Sequence, residues 1–444
     1  MDKRLADLDR LAQAIRQHKD EIIEAVSKDF TGRSPNETLS SEVALSIGAI
    51  DYLKKRLKKL AAPIKNTKLT ASVPGKTWVR PVPKGVVGIV APWNYPFQLA
   101  IVPAATALAA GNSVLIKPSE LTPATSAVME RIVAECFDPA QMAVVQGGVD
   151  VGIAFSELPF DHLFFTGSTQ VGRLVAMAAA KNLTPVTLEL GGKSPCIVLP
   201  DTKMGDAATM IAMGKAYNGG QSCTAPDYVL VPKGQERAMA DAILSEVGRF
   251  YTDLETDKDY TAIISDRHAD RLKGMIEEAK AAGATIVEPA FDETKATGRR
   301  LAPAIAINPP LDSKIMQEEV FGPLISIIGY DTVDDAITFV NERDHPLALY
   351  VFGDDVEAAR GVVNRTVSGG AMINGTLIHF AVEHLPFGGI GASGQGAYHG
   401  DYGFYEFSHQ QAVLEFPKWG WLKNVVTPPY GKLFKMTTDR TIGK

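Results

Sequence analysis

Three observations predict an α/β protein built on a doubly wound parallel sheet. The chain has 444 residues, more than one hydrophobic core usually spans, so two or more domains and a cleft between them are expected. Short apolar strands alternate regularly with helical stretches. Polar and glycine-rich residues collect just past the strand ends, where open α/β sheets bind their ligands.

The elements follow in order. Leu5, Leu8, Leu11 and Ile15 mark an amphipathic helix at the N-terminus, with charges between them. A second helix carries Leu39, Val43, Ile50, Leu53, Leu57 and Leu60 and stops at Pro63. Its basic run, Lys54 to Leu60, keeps leucines at helical spacing and reads as a wet face. Residues 67–83 are strand-like and polar around a Pro74-Gly75 turn, so they predict a projecting hairpin that pairs with another subunit.

Strands are then expected near Val86–Val90, Val114–Lys117, Met142–Gln146, His162–Thr166 and Val186–Glu189, with helices beginning near Gln98, Thr122, Asp150 and Thr169. A second alternation runs from about Cys196 to Gly375. It has strands near Tyr228–Val231, Ala284–Val287, Leu324–Ile328, Ala348–Phe352 and Gly370–Ile373. The dense glycines between Phe387 and Gly396 predict a loop of unusual backbone. The expected division is a cofactor-binding domain over 1–195, a catalytic domain over 196–375, and a return to the first domain with a tail over 376–444.

Composition narrows the function. A net charge of -6 offers no basic field for a phosphate backbone, which argues against nucleic acid as a partner. Three cysteines, Cys136, Cys196 and Cys223, are too few and too odd a set for a disulfide framework and fit a reducing, cytoplasmic compartment. There is no C-x-x-C and no Cys/His cluster at ligand spacing, so no metal is expected. No apolar run reaches the roughly 18 residues of a membrane span.

The chemistry-bearing residues sit at the strand ends. Gly167-Ser168-Thr169-Gln170-Val171-Gly172 follows a strand and opens a helix, where N–H groups and the helix dipole can face a pyrophosphate. Its spacing departs from G-x-G-x-x-G, and a strand-to-helix turn alone accounts for the glycines equally well. Lys117 and Glu120 follow another strand, placed for the two hydroxyls of a ribose or for a solvated surface pair. The carboxylate favours NAD over NADP, since it repels a 2′-phosphate. Cys223 stands apart from the two cysteines that read as small buried hydrophobes. The glycines before it, in Asn218-Gly219-Gly220-Gln221-Ser222-Cys223-Thr224, permit a sharp turn that presents sulfur to a cleft.

Six motifs in order resemble the aldehyde dehydrogenase superfamily over nearly the whole chain: Pro92 to Phe97 (PWNYPF), Lys117 to Glu120 (KPSE), Phe165 to Ser168 (FTGS), Leu188 to Pro195 (LELGGKSP), Gly220 to Cys223 (GQSC) and Glu318 to Pro323 (EEVFGP). Ala225 to Tyr228 and Gly396 to Gly400 resemble the class 3 branch, near coniferyl aldehyde dehydrogenases. The resemblance implies a Rossmann-like cofactor domain, an α/β catalytic domain and a small β oligomerisation arm. Its start falls inside what is a longer opening helix in many relatives.

The implied reaction is NAD(P)-dependent oxidation of an aldehyde to the acid. Cys223 is the implied nucleophile, with a site expected to favour the thiolate over a free thiol of pKa about 8.5. Asn94 and the Cys223 N–H are the implied oxyanion donors, and Glu189 is the general base that hydrolyses the thioester. Trp93, Lys117, Glu120, Gly167, Ser168, Gly172, Leu190, Glu319 and Phe321 are implied at the cofactor. Tyr95, Met213, Ser222, Thr224 and Phe380 are implied along an apolar, partly aromatic tunnel, which favours aromatic or medium-chain aldehydes. The competing readings are a CoA-acylating enzyme, which Glu189 argues against, and a non-catalytic protein on the same fold. The tail after Phe416, with Trp419, Trp421, Pro428-Pro429-Tyr430 and Lys432 to Lys435, is expected to pack on a neighbouring subunit of a homodimer.

Overall fold

The computed structural model describes residues 1–66, 75–418 and 427–443. Its first sheet has six strands in the order Gly394–Gln395, Val186–Glu189, His162–Thr166, Val86–Val90, Ser113–Lys117 and Met142–Val144, parallel except for the two-residue edge strand. The chain winds outward from Val86–Val90 in one direction, then returns to that strand's other side with His162–Thr166. This reversal opens a crevice past the strand ends. Register aligns the contents of that crevice. Val90 lies beside Lys117 and Phe165, and Thr166 lies beside Glu189. The segments that follow, carrying Trp93-Asn94, Glu120, Gly167-Ser168 and Leu190, therefore leave the sheet along one edge.

The second sheet has seven strands in the order Thr285–Val287, Ala304–Ile307, Leu324–Tyr330, Pro226–Pro232, Ser194–Val198, Ala348–Phe352 and Gly370–Ile373, antiparallel only at the Thr285–Val287 edge. The strand Ala304–Ile307 is absent from the sequence reading. Alanines give little β-branched signal, and prolines stand on both sides of it. Between the sheets the chain crosses in four residues, Leu190 to Lys193, which keeps Glu189 at the boundary of the two bodies.

The N-terminal helices are finer than the sequence reading. The stripe Leu5 to Ile15 lies in the helix Asp2–Gln17, and a further helix that the sequence reading does not name, Lys19–Phe30, follows it after His18. The second expected helix begins as a short turn, Pro35–Thr38, passes through a π-helical stretch, Leu39–Ala44, and becomes regular over Leu45–Leu60. The wider π turn rotates the faces past each other, so Leu39 is exposed rather than part of the apolar stripe. Leu53, Leu57 and Leu60 are buried, while Lys55, Lys58 and Lys59 are exposed.

The expected hairpin needs correcting at its first strand. Ile64–Asn66, just upstream of the expected start, pairs antiparallel with Lys76–Pro83, and residues 67–74 lie outside the described residues. Ser408–Glu415 pairs along the other side of Lys76–Pro83 to give a three-stranded sheet. Between Phe387 and Gly396 the backbone is largely a loop, but Gly394 and Gln395 pair with Glu189 and Leu188. Trp419 and Trp421 lie outside the described residues, and Lys432–Thr441 is an exposed helix. Among the described residues, no helix is long and apolar enough to cross a membrane.

One buried ion pair ties the N-terminal segment to the crevice. The Arg33 and Glu42 side chains are wholly buried, with Nη1 to Oε1 at 2.9 Å. The other Glu42 oxygen accepts from the Phe97 and Gln98 N–H groups, at 3.1 and 2.7 Å, where the fully buried helix Gln98–Ala110 begins. Removing one member leaves the other charge without compensation, at a cost of about 3–5 kcal/mol. Arg33→Met is therefore expected to lower unfolding stability by about that amount, read as the shift of the chemical denaturation curve. A curve that does not move removes this pair from the account.

Candidate active site

Cys223 is delivered by a left-handed turn. After the helix Met204–Ala216, Asn218, Gly219 and Gly220 take φ of 53°, 59° and 71°. A Cβ on Gly220 would lie 2.2 Å from the Gly322 carbonyl oxygen, so this position requires glycine as well as a positive φ. Gln221 bolts the turn down. Its Nε2 donates to the Asn218 and Ala262 carbonyls at 3.0 and 3.1 Å, and its Oε1 accepts from the Ile264 N–H at 3.0 Å. On the far side, Tyr350 Oη donates to the Thr224 carbonyl at 2.6 Å.

Asn94 faces this loop. Its side-chain amide donates to the Gln221 carbonyl at 3.2 Å, and its own carbonyl accepts from Arg33 Nη1 at 2.9 Å and Asn218 Nδ2 at 3.1 Å. Tyr95 lies under the Arg33 guanidinium, 4.8 Å from the ring centre, and its phenol is hydrogen-bonded to Ser222. Ser222 Oγ is 3.3 Å from Thr224 Oγ1. The structure thus brings Asn94, Tyr95, Ser222, Cys223 and Thr224 together. Met213 stands half-buried near the end of the preceding helix, and Phe380 packs edge-on to Phe387 on the other wall.

Two acids complete the centre. Glu189 is buried, and neither carboxylate oxygen has a hydrogen-bond partner. Burial first, and then Glu406, push its pKa well above the carboxylate range. This excludes its use as a cap for the Gly191-Gly192 turn. That place belongs to Glu319, whose carboxylate oxygens lie 2.3 and 2.4 Å from where a Gly191 Cβ would stand. Burial and Asp227 raise the Glu319 pKa to about 8 against the lowering influence of the Gly192 N–H. Phe321, at φ 51°, turns its ring to 5.2 Å from Trp93, edge to face.

Along the sheet edge, the residues present suit a dinucleotide. The Lys117 ammonium is buried, donating to the Pro118 carbonyl at 2.9 Å, with the exposed Glu120 carboxylate at 3.5 Å. Ser168 caps the helix Thr169–Ala180, accepting from the Val171 N–H at 3.4 Å. No acidic residue stands in that helix's first turn, which leaves its positive end free for a phosphate. The Gly167 N–H donates to the Glu189 carbonyl at 3.0 Å. A Cβ on Gly172 would meet Leu190 at 2.5 Å, so glycine there lets the helix seat on the strand end. Val149 and Ile153 on one helix, with Val171 and Leu174 on the next, are 46–67% exposed, an apolar surface of the kind a flat base covers. The sequence reading missed these four, since exposure of an apolar residue has no local signal.

The family model "Aldehyde dehydrogenase family" matches residues 1–413. The chain belongs to the aldehyde dehydrogenase family. It is 46% identical over 430 residues to a probable coniferyl aldehyde dehydrogenase of Pseudomonas aeruginosa, covering 97% of this chain and 90% of that protein. It is 40% identical to a coniferyl aldehyde dehydrogenase of a Pseudomonas species, with 97% and 90% covered. Among solved structures, an aldehyde dehydrogenase of Staphylococcus aureus in a substrate-bound state matches with a TM-score of 0.93 at 37% identity, over 100% of this chain and 95% of that one. A Mycobacterium tuberculosis aldehyde dehydrogenase complexed with NAD+ matches with a TM-score of 0.85 at 30% identity, over 94% and 86%. The reaction is the NAD(P)-dependent oxidation of an aldehyde to the carboxylic acid.

Against this family background, one expectation reverses. The Cys223 site does not favour the thiolate. Burial, followed by the Glu319 and Glu189 carboxylates, raises the thiol pKa, and the Cys223 and Thr224 N–H groups offset this only in part. An anion is disfavoured both by the lost hydration and by like charges. In the protein without cofactor, alkylation of Cys223 by iodoacetamide should be slow near neutral pH and still rising at about pH 10, beyond the plateau of a free thiol with pKa about 8.5. Glu319→Gln should accelerate it. A plateau at or below the free-thiol value would overturn this electrostatic account.

Proposed function

We propose that Cys223, Asn94 and Glu189 carry the reaction, on the observation that a partly buried thiol lies near enough to the buried, unpartnered Glu189 carboxyl to feel its charge. The Cys223 thiol gives up its proton to solvent, and Sγ attacks the aldehyde carbon. The developing oxyanion is held by the Asn94 amide and the Cys223 N–H. Once hydride has left the thiohemiacetal carbon, a thioester remains on sulfur. Glu189 removes a proton from water, which attacks the thioester carbonyl and expels the Cys223 thiolate with the acid as product; the sulfur is then reprotonated. NAD(P), when bound, supplies the hydride acceptor and a ring with positive charge. The residues that would hold it are Trp93, Lys117, Glu120, Gly167, Ser168, Gly172, Leu190, Glu319 and Phe321.

Glu120 beside Lys117 supports NAD over NADP, because a carboxylate there repels a 2′-phosphate. The substrate is an uncharged aromatic or medium-chain aldehyde, lined by Tyr95, Met213, Ser222, Thr224 and Phe380. The acceptor is water rather than CoA, since Glu189 is a base already desolvated beside the thiol. The domain division is 1–195 on the cofactor side, 196–375 on the catalytic side and 376–444 returning to the first, with the first boundary falling inside the strand Ser194–Val198 of the second sheet. The protein works in the cytoplasm as a homodimer whose three-stranded sheet offers the exposed strand Ser408–Glu415 as an edge for pairing.

Cys223→Ala is expected to abolish turnover, followed as reduced nicotinamide absorbance with cinnamaldehyde, benzaldehyde and hexanal in the absence of CoA. Glu189→Gln should keep a pre-steady-state burst while slowing steady-state turnover by about 10²–10⁴-fold. Because the base works ionised and its pKa is raised, wild-type turnover should climb with pH above the ordinary carboxylate range, and this climb should vanish in Glu189→Gln. Full steady-state activity in either variant would refute its role, and activity only on adding CoA would favour the acylating reading.

A further inference from the structure

A chain of four polar side chains ends beside Glu189 and has no role in the chemistry above. Lys84 Nζ is 3.0 Å from His162 Nδ1, His162 Nε2 is 2.8 Å from Thr187 Oγ1, and Thr187 Oγ1 donates to Glu406 Oε1 at 2.6 Å. An ammonium can only donate, so Nδ1 accepts, Nε2 carries the proton, and every donor along the chain points toward the Glu406 carboxylate. His162 is buried, and burial with Lys84 beside it lowers its pKa to about 3, so the ring is neutral. The chain therefore carries a positive charge at one end and a negative charge at the other, with neutral groups between.

Two paths through the fold bring the negative end to Glu189. Thr187 and Glu189 are two residues apart on the strand Val186–Glu189, so their side chains leave the same face of the sheet. The edge strand Gly394–Gln395 pairs with this strand, Gly394 opposite Glu189 and Gln395 opposite Leu188, which puts Gly396 next in line toward Thr187. A Cβ on Gly396 would lie 2.7 Å from Glu406 Oε1 and 3.0 Å from Thr187 Cγ2. The Glu406 carboxylate fills the space that this side chain would take, at the end of the helix Gly400–Glu406.

The other titratable groups at the centre carry little charge near neutral pH. Cys223 on the nucleophile loop and Tyr398 on the returning segment both have raised pKa values, and Glu319, which with Glu189 acts on Cys223, is raised to about 8. Glu406 is the charge that acts on Glu189, and Lys84 in turn feels the charge of Glu406. We propose that Glu406 acts through Glu189, setting the pH range in which Glu189 works as a base, and that Lys84 at the far end of the chain tempers this influence. This deepens the dehydrogenase reading above and rests on it. The sign follows from charge. The Glu406 anion disfavours a second anion beside it, so it keeps the proton on Glu189 to higher pH. The Lys84 cation cancels part of that field.

The test follows kcat in the steady state after the burst, with benzaldehyde, saturating NAD and no CoA, over about pH 5–9. In Glu406→Gln the burst should be kept and the rising limb should move to lower pH by about one unit. In Lys84→Met the limb should move to higher pH. The double variant Glu189→Gln/Glu406→Gln should have the profile of Glu189→Gln alone, since the group acted upon is gone. Loss of packing does not produce opposite shifts from the two ends of one chain. A Glu406→Gln limb at the wild-type position, or a uniform fall in kcat with the limb unmoved, would overturn this role for Glu406 and leave the dehydrogenase reading standing. A wild type that oxidises no aldehyde, or that shows no rising limb, would sink the reading on which the role rests. Should Glu406→Gln not fold, Lys84→Met decides the matter, and a limb at or below the wild-type pH overturns the role.

Discussion

The Arg33–Glu42 pair is the constraint on which the site's geometry depends. Two stretches remote in sequence meet on it: residues 33–42 and residues 94–98, where Arg33 holds the Asn94 carbonyl and Glu42 holds the start of the helix Gln98–Ala110. Since the Asn94 carbonyl also accepts from Asn218, the proposed oxyanion donor and the loop that carries Cys223 share one frame. Glu37, five residues before Glu42, extends it by accepting from the Asn218 N–H at 2.9 Å and Thr261 Oγ1 at 3.0 Å. The π-helical stretch Leu39–Ala44 begins two residues after Glu37 and contains Glu42, and its wider turn sets the rotation at which both carboxylates are buried.

Much of the fold was legible because periodicity and punctuation agree in it. The strands Val86–Val90, His162–Thr166, Val186–Glu189, Ala348–Phe352 and Gly370–Ile373 have the bounds read from their apolar runs, since each is bracketed by a turn or helix start. Ala304–Ile307 was not legible, because alanine takes every other place in so short a run and prolines stand on both sides. Lys19–Phe30 was hidden for a different reason. The polar residues at its start look like a continuation of the preceding helix surface, and only tertiary packing places the break at His18.

The site divides in the same way. Glycine spacing before Cys223 announced a turn, and the turn exists with the positive φ values that such spacing permits. Burial without a partner at Glu189, and the seating of Glu319 against Gly191, depend on how the two sheets meet and have no local signature. The same holds for Glu406. It looks like an ordinary surface carboxylate until the chain's return brings it against Thr187 and Gly396.

The thiol shows why local chemistry misleads when the surroundings are unknown. A turn that exposes sulfur suggests activation, yet the largest influences on Cys223 are burial and two carboxylates, and all three favour the proton. Glu319 and Glu189 are themselves raised by burial. The resting centre is therefore a set of groups that hold their protons together, each anion making the next harder to form. Such a centre responds strongly to any positive charge brought into it, because one charge in a desolvated space acts on every member at once. A sulfur kept as the thiol is a weaker nucleophile and a poorer target for oxidation than a thiolate. Burial here thus acts twice, raising the Glu189 carboxyl above its ordinary range and holding the Cys223 thiol neutral.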